Sequence, residues 1–156
     1  MQADGKVKPR GRFWLVARDA EGNVKAVHYA ENLVVNSGLT WIAGALSGTI
    51  GSPATMKYIG IGTGTTAATG PDTALVAPEY ETRATGTQTL VTTDTANDTY
   101  QVVGTVTITT AAAVTEAGLF SASTAGSMLS RQVFSAINVV NSDTIQFTWK
   151  IDLDAA

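Results

Sequence analysis

The chain has 156 residues, a formal net charge of −3 and no cysteine, which suits one domain and excludes both a disulfide framework and a zinc site built on thiolates. The slightly acidic balance lacks the broad basic surface that nucleic-acid binding needs, and no segment approaches the ~20 consecutive apolar residues of a membrane span, so neither nucleic acid nor a membrane is expected as a partner. Charged residues make up only 15% of the chain, and its many threonines and valines favour strands because branching at Cβ restricts χ1, so the composition predicts a mainly β fold.

The first ten residues are polar and basic and hold almost no apolar side chain. Burial therefore cannot offset the entropy lost on ordering them. We expect a flexible arm over residues 1–10, followed by a single β-sandwich domain over residues 11–156. The arm is either a solvated tail or a segment that binds an acidic neighbour. Its candidate contact residues are Lys6, Lys8, Arg10 and Arg12.

Two apolar runs, 13–17 and 24–29, flank a Gly-containing turn and predict a β-hairpin. A helical period then occurs near residues 38–47, where apolar residues recur at i, i+3 and i+7. Asn36 or Ser37 is a suitable N-cap, and Gly48 is a suitable stop. We expect the apolar face of this helix to pack into the core. Its residues are Leu39, Ile42 and Leu46.

Further strands are predicted after the helix. The last strand alternates most clearly between apolar and polar residues, and we expect its apolar side to face the helix in the core through Phe147, Trp149 and Ile151. The other predicted strands are 56–61, 88–91 and 100–109, and a second hairpin joins 116–120 to 128–134. Many short strands at this spacing predict an antiparallel β-sandwich or barrel-like domain with one short helix.

Four features could carry chemistry, and each also has a structural explanation. The single histidine, His28, lies on a predicted strand without a Gly-x-Ser-x-Gly elbow in the sequence to supply a nucleophile. The glycines of segment 60–64 could cradle a phosphate only if a helix began directly after them, which the sequence there does not allow. They are better explained as strand glycines that permit close backbone approach.

The other two features are acidic. A calcium ion could bind the oxygens of Asp94, Asn97 and Asp98, but the spacing of an EF-hand is missing and a solvated turn explains the same residues. A carboxylate pair for glycoside cleavage could be drawn from Glu79, Glu81 and Glu116, yet nothing in the sequence raises one pKa above the other. We expect no catalytic residue, no cofactor and no metal, and therefore no enzyme.

Six segments occur in an order that resembles a recurring pattern of phage proteins: 32–39 (NLVVNSGL), 58–65 (YIGIGTGT), 72–75 (DTAL), 79–83, 115–120 (TEAGLF) and 129–131 (LSR). Over about residues 31–153 the chain is similar to the small structural proteins of tailed phages called tail-fibre proteins. It is more distantly similar to the N-terminal, baseplate-attaching domain of contractile-tail fibres.

The resemblance implies a non-catalytic β-domain of the virion, assembled in the cytoplasm of the bacterial host. Its partners would be other virion proteins of the baseplate or tail and further copies of itself, with a trimer favoured. Besides the basic arm, the long loop before residue 75 is a candidate interface. Its contact residues would be Gly64, Thr65, Thr66 and Pro71.

The sequence departs from the fibre pattern in two ways, because no repetitive shaft or receptor-binding tip appears before Ala156 and a hairpin precedes Asn32. An alternative is therefore a capsid decoration protein that binds the major capsid protein at capsomer junctions. A second alternative is a carbohydrate-binding β-module, which requires exposed aromatic side chains. The chain has three tryptophans, Trp14, Trp41 and Trp149. All three lie in apolar-periodic segments, so most of them are expected in the core.

Overall fold

The computed structural model describes residues 9–50, 56–77 and 79–153. This part of the chain forms nine strands and one α-helix, which confirms the predicted mainly β fold with one short helix. In chain order the elements are β1 (Arg10–Arg18), β2 (Val24–Val34), α1 (Asn36–Ser47), β3 (Tyr58–Gly62), β4 (Ala84–Thr85), β5 (Thr87–Val91), β6 (Thr99–Thr107), β7 (Ala112–Phe120), β8 (Met128–Val139) and β9 (Thr144–Asp152).

The strands pair antiparallel in the order β4-β3-β7-β8-β2-β1-β9-β6-β5. This sheet folds over on itself into two layers around one core. We call β5, β6, β9, β1 and β2 the front layer, and β8, β7, β3 and β4 the back layer. The predicted antiparallel sandwich or barrel-like domain is confirmed.

The two ends of the strand order meet at Gly86. Strand β4 pairs with β3 of the back layer, whereas β5 pairs with β6 of the front layer, and only Gly86 separates β4 from β5. Gly86 donates its N–H to Lys57 O at 2.8 Å. A Cβ at this position would lie 2.4 Å from Cγ1 of Val102, so no side chain fits where the chain crosses between the layers. The crossing nearly closes the sheet into a barrel.

The opposite side of the barrel is open along most of its length. Strands β2 and β8 pair only at Leu33 with Arg131 and at Val34 with Ser130. Beyond these two residue pairs, β2 and β8 contact each other through side chains. An ion pair joins Lys25 of β2 to Asp143 in the turn after β8. The opening is therefore bounded by a short ladder at one end and by a salt bridge at the other.

The core is built from alternate residues of facing strands. On β9, Phe147 and Trp149 are fully buried and Ile151 is 2% exposed, which confirms the prediction for these three residues. The ring of Phe13 on β1 lies 5.2 Å from that of Trp149 and 6.0 Å from that of Phe147. The terminal strands thus form the centre of the front layer and of the core.

The helix packs with a different face from the one predicted. Leu39 is 42% exposed and Leu46 is 87% exposed, so their assignment to the core is wrong. Gly38 fixes the orientation, because a Cβ there would lie 2.2 Å from Leu129 O. The turn of helix at Gly38 can therefore approach the back layer closely and brings Trp41 and Ile42 onto the core, which leaves the Leu39 side in solvent.

The predicted start of α1 is also wrong, whereas its predicted stop is confirmed. Val35 is the N-cap and makes no capping hydrogen bond through its side chain. The N–H of Asn36 instead donates to Gly70 O at 2.8 Å, and Ser37 Oγ donates to Met128 O at 2.8 Å. Gly48 ends the helix in the left-handed conformation, with φ of 69°.

Candidate functional site

A buried carboxylate on β7 holds the long loop that follows β3. Glu116 is fully buried. Its Oε1 accepts the N–H groups of Gly64 at 3.0 Å and Ala77 at 2.9 Å, and its Oε2 accepts the N–H of Val76 at 3.1 Å. One side chain therefore binds both ends of the loop.

The charge of Glu116 is balanced by Arg131 on the neighbouring strand β8. Arg131 is fully buried, and its Nε and Nη2 lie 2.9 and 2.8 Å from Glu116 Oε2. Its Nη1 donates to Asp72 Oδ2 at 2.9 Å, and its Nη2 donates to Thr66 O at 2.8 Å. A buried charge is tolerated only when it is paired and hydrogen-bonded, and both conditions are met here.

Asp72 completes this anchor from the loop itself. Burial raises its pKa, but hydrogen bonds from Thr69 and Arg131 outweigh burial and hold the pKa below its ordinary value. The three charged residues of the anchor come from three of the phage-like segments. Those segments therefore meet in one cluster. Its carboxylates, Asp72 and Glu116, accept hydrogen bonds from donors that the fold holds in place, so the cluster is structural.

A second anchor lies beside the first. The guanidinium of Arg83 stacks 3.5 Å from the ring centre of Phe120 and pairs with Glu79. Arg83 Nη1 also donates to the carbonyls of Ala122 at 2.8 Å and Ala125 at 2.7 Å. The next acidic residue, Glu81, accepts the N–H of Thr109 at 2.7 Å.

The three glutamates that could have formed a carboxylate pair for glycoside cleavage, Glu79, Glu81 and Glu116, thus each have their own structural partners. Asp98 likewise accepts the N–H groups of Thr95, Thr93 and Asp94 at 2.6, 2.8 and 2.8 Å. Backbone hydrogen bonds, that of Thr95 foremost, hold the pKa of Asp98 well below its ordinary value. Within the described residues, no group of three or more His, Cys, Asp or Glu side chains could hold a metal ion.

His28 lies on β2, half-buried, with its ring 5.9 Å from that of Phe134 across the opening between β2 and β8. The strand predicted for it is confirmed.

An apolar groove lies between α1 and the end of the front layer where β6 begins and β9 ends. It encloses about 350 Å³ and is lined by Trp41, Ile42, Ala45, Leu46, Tyr100, Leu129, Ile151 and Leu153. The hydroxyl of Tyr100 is turned away from solvent, because it donates to Met56 O at 3.1 Å and accepts from Gln88 Nε2 at 2.6 Å. Burial raises the pKa of Tyr100. The groove and the helix beside it carry no charged side chain.

The outer face of the front layer carries an aromatic pair that the sequence did not reveal. Trp14 on β1 is half-buried rather than in the core, and Tyr29 on β2 is 57% exposed. Their ring centres lie 4.8 Å apart, and Lys150 Nζ lies 5.3 Å from the centre of the Trp14 ring. Of the three tryptophans, only Trp149 is fully buried.

The predicted interface residues differ in their exposure and in their contacts. Lys6 and Lys8 lie outside the described residues, Arg10 is exposed at the start of β1, and Arg12 pairs with Asp152 at 3.3 Å. Gly64 is buried and donates to Glu116, so its prediction as a contact residue is wrong. The remaining loop candidates, Thr65, Thr66 and Pro71, are exposed.

The anchor of Glu116 and Arg131 was not predicted as a unit, although both residues lie in segments that carry the resemblance. The exposed aromatic pair was not predicted either. Its signal in the sequence is the alternation along β1, where every second residue from Arg12 to Val16 lies on the face opposite to the buried residues. No helix of the described chain is long and apolar enough to cross a bilayer. Comparison of the chain with protein-family models, with curated proteins and with solved structures gives no match.

Proposed function

We propose that the chain is a non-enzymatic structural protein of a tailed-phage virion, a tail-fibre or baseplate-type appendage protein that attaches through protein–protein contacts. The observation that carries the proposal is α1, an uncharged helix with exposed leucines beside an apolar groove. A surface helix of a monomeric protein ordinarily presents charged residues to water. An exposed apolar patch of this kind is typical of a surface that another protein covers.

The contact made by α1 is with further copies of the same chain, in a homo-oligomer for which a trimer is favoured. Copies related by symmetry bring identical surfaces together, so a charged patch on the symmetry axis would repel itself. The exposed face of α1 avoids this cost because its residues are uncharged: Leu39, Thr40, Ala43, Leu46 and Ser47.

The attachment to neighbouring virion proteins is assigned to the loop after β3. Its exposed residues, Thr65, Thr66 and Pro71, sit on a backbone that Glu116 and Arg131 hold in place. A loop that is already ordered loses little entropy on binding. The similarity of six segments to phage tail-fibre proteins supports the same function, and those segments supply the anchor.

The self-association is tested with Leu46→Glu, measured by sedimentation velocity over a range of protein concentrations. The wild-type chain should form an oligomer, and the glutamate should shift it to monomer because a charge would be buried at the contact. Val24→Glu is the matched control, since Val24 is also exposed, at 52%, but lies at the start of β2, whereas α1 follows the end of that strand. A monomeric wild type, or an oligomer that tolerates the glutamate at position 46, would contradict the role of α1.

The virion assignment is tested separately by quantitative mass spectrometry of purified particles, with this chain normalised to the major capsid protein. A copy number far below that of the capsid protein supports a tail or baseplate appendage. A copy number comparable to it contradicts the appendage and favours capsid decoration. Absence from the particle contradicts both.

A further inference from the structure

We propose that the outer face of the front layer is a binding site for an acidic polysaccharide, with Tyr29 and Trp14 as the stacking platform and Lys150 as the cation that meets a carboxylate. This inference does not rest on the proposed virion function.

The platform follows from the strand register. Trp14 is paired with Tyr29 on one side and with Thr148 on the other, and Val103 lies beyond Thr148. These side chains form a row that crosses β2, β1, β9 and β6, with neighbouring strands ~4.8 Å apart. The row begins with two aromatic rings and continues with small side chains, so a linear ligand can lie flat across it.

The next row carries charge and amide groups. Arg12 is paired with Glu31 and Lys150, and Gln101 lies beyond Lys150. On the other side of the aromatic row, Gln146 lies next to Thr105. A sugar ring offers an apolar face for stacking on an aromatic ring and hydroxyls at its rim, and the amides and threonine hydroxyls of these rows are suited to bind hydroxyls.

The charge of this face selects an anionic ligand. The outward positions of β1 and β9 hold four basic residues, Arg10, Arg12, Arg18 and Lys150, whereas the acidic residues on the face are Glu31 and Asp152. Arg12 is already paired with Asp152 at 3.3 Å, so the remaining cations have to carry the attraction. The face is therefore basic although the whole chain carries a net charge of −3. A second copy of the chain would bring the same basic residues against it, so like-charge repulsion disfavours self-packing here.

An acidic polysaccharide fits this surface better than nucleic acid does. A nucleic acid carries one phosphate on every nucleotide, and its affinity depends on many basic contacts that release counterions. Only a few cations flank the aromatic pair, within a chain that is acidic overall. A polysaccharide with a carboxylate on some of its sugars needs fewer cations and uses the uncharged Thr and Gln side chains.

The test is isothermal titration of the full chain with three polyuronates: alginate, polygalacturonate and hyaluronan. Dextran is the neutral comparison and oligothymidylate the nucleic-acid comparison. Saturable binding to at least one polyuronate, weakened by added salt, is the expected result. Tyr29→Ala should weaken that binding about tenfold through loss of stacking, and Lys150→Gln should weaken it several-fold.

Tyr29 is exposed and Lys150 is half-buried on the outer face of the sheet, outside the core, and the melting temperatures of both variants should match that of the wild type. Leu46→Glu is the control that should keep full binding, since it alters the surface assigned to self-association and leaves this face unchanged. Its retention of binding separates this inference from the proposed function. Any of the following overturns the proposal: no binding to the three polyuronates, equal binding to dextran, tighter binding to oligothymidylate, or unchanged affinity in folded Tyr29→Ala and Lys150→Gln.

Discussion

At the scale of single residues, Glu116 has the largest number of structural partners in the loop anchor. It accepts hydrogen bonds from three backbone N–H groups and pairs with Arg131, and both side chains are fully buried. Loss of its charge would break the fully buried ion pair and leave the guanidinium with Asp72, which lies at the edge of the anchor, as its carboxylate partner. The residue thus determines both the position of the loop and the tolerance of the fold for Arg131.

We predict that Glu116→Gln lowers the free energy of unfolding by about 1–3 kcal/mol, because an amide NH2 group replaces one of the two oxygens that accept buried donors and the buried ion pair with Arg131 is lost. Urea denaturation followed by tryptophan fluorescence measures the change. Glu79→Gln is the matched control, since Glu79 is exposed and its ion pair with Arg83 should contribute only about 0–1 kcal/mol. Equal losses in the two variants would show that burial of the Glu116 pair does not matter.

At the scale of elements, the sequence predicted most strands correctly and one helix face wrongly. The hairpin of β1 and β2, the hairpin of β7 and β8, and strand β9 all follow from alternation and turn residues. The side of α1 that packs could not be predicted from its leucines, because a close backbone approach at Gly38 overrides apolar periodicity. Such an approach depends on the position of Leu129, which lies 91 residues further along the chain.

The role of Gly38 is tested with Gly38→Ala. Alanine favours helix by up to about 1 kcal/mol over glycine, but here its Cβ would lie 2.2 Å from Leu129 O. We expect a net destabilisation of roughly 1–3 kcal/mol in urea melts, as for other overpacked positions. Gly44→Ala in the same helix meets only the side chain of Ile50, which can move. If both variants were equally stable, Gly38 would not determine the helix orientation.

Element boundaries that depend on distant partners were the least predictable part of the fold. Strand β4 has only two residues, and it is defined by its pairing with β3. The loop anchor joins positions 72, 116 and 131, whose proximity depends on the back layer being formed. The sequence contained all of these residues in its phage-like segments, but their contacts required the fold.

At the scale of the whole molecule, the opening between β2 and β8 is bounded by the β-ladder at one end and by the ion pair of Lys25 with Asp143 at the other. The hydrogen bond from Lys25 holds the pKa of Asp143 below its ordinary value. A carboxyl group whose pKa is lower in the folded state stabilises the fold above its unfolded pKa, and this stabilisation is lost as the pH falls through the folded pKa.

We therefore predict that Asp143→Asn reduces the loss of stability as the pH falls below about 4, while lowering stability at neutral pH. Urea melts across this pH range provide the measurement. Lys25→Met should flatten the acid dependence in the same way, because it removes the donor that lowers the pKa. An acid dependence that is unchanged in both variants would exclude this ion pair as a source of pH-dependent stability.

Strand β9 is translated after both β1 and β6, yet it lies between them in the middle of the front layer. Until β9 is made, those two strands have no partner at their inner edges, and the aromatic centre of the core is incomplete. The front layer can therefore form only after β9 has been translated, and so can the groove beside α1, which Ile151 of β9 helps to line.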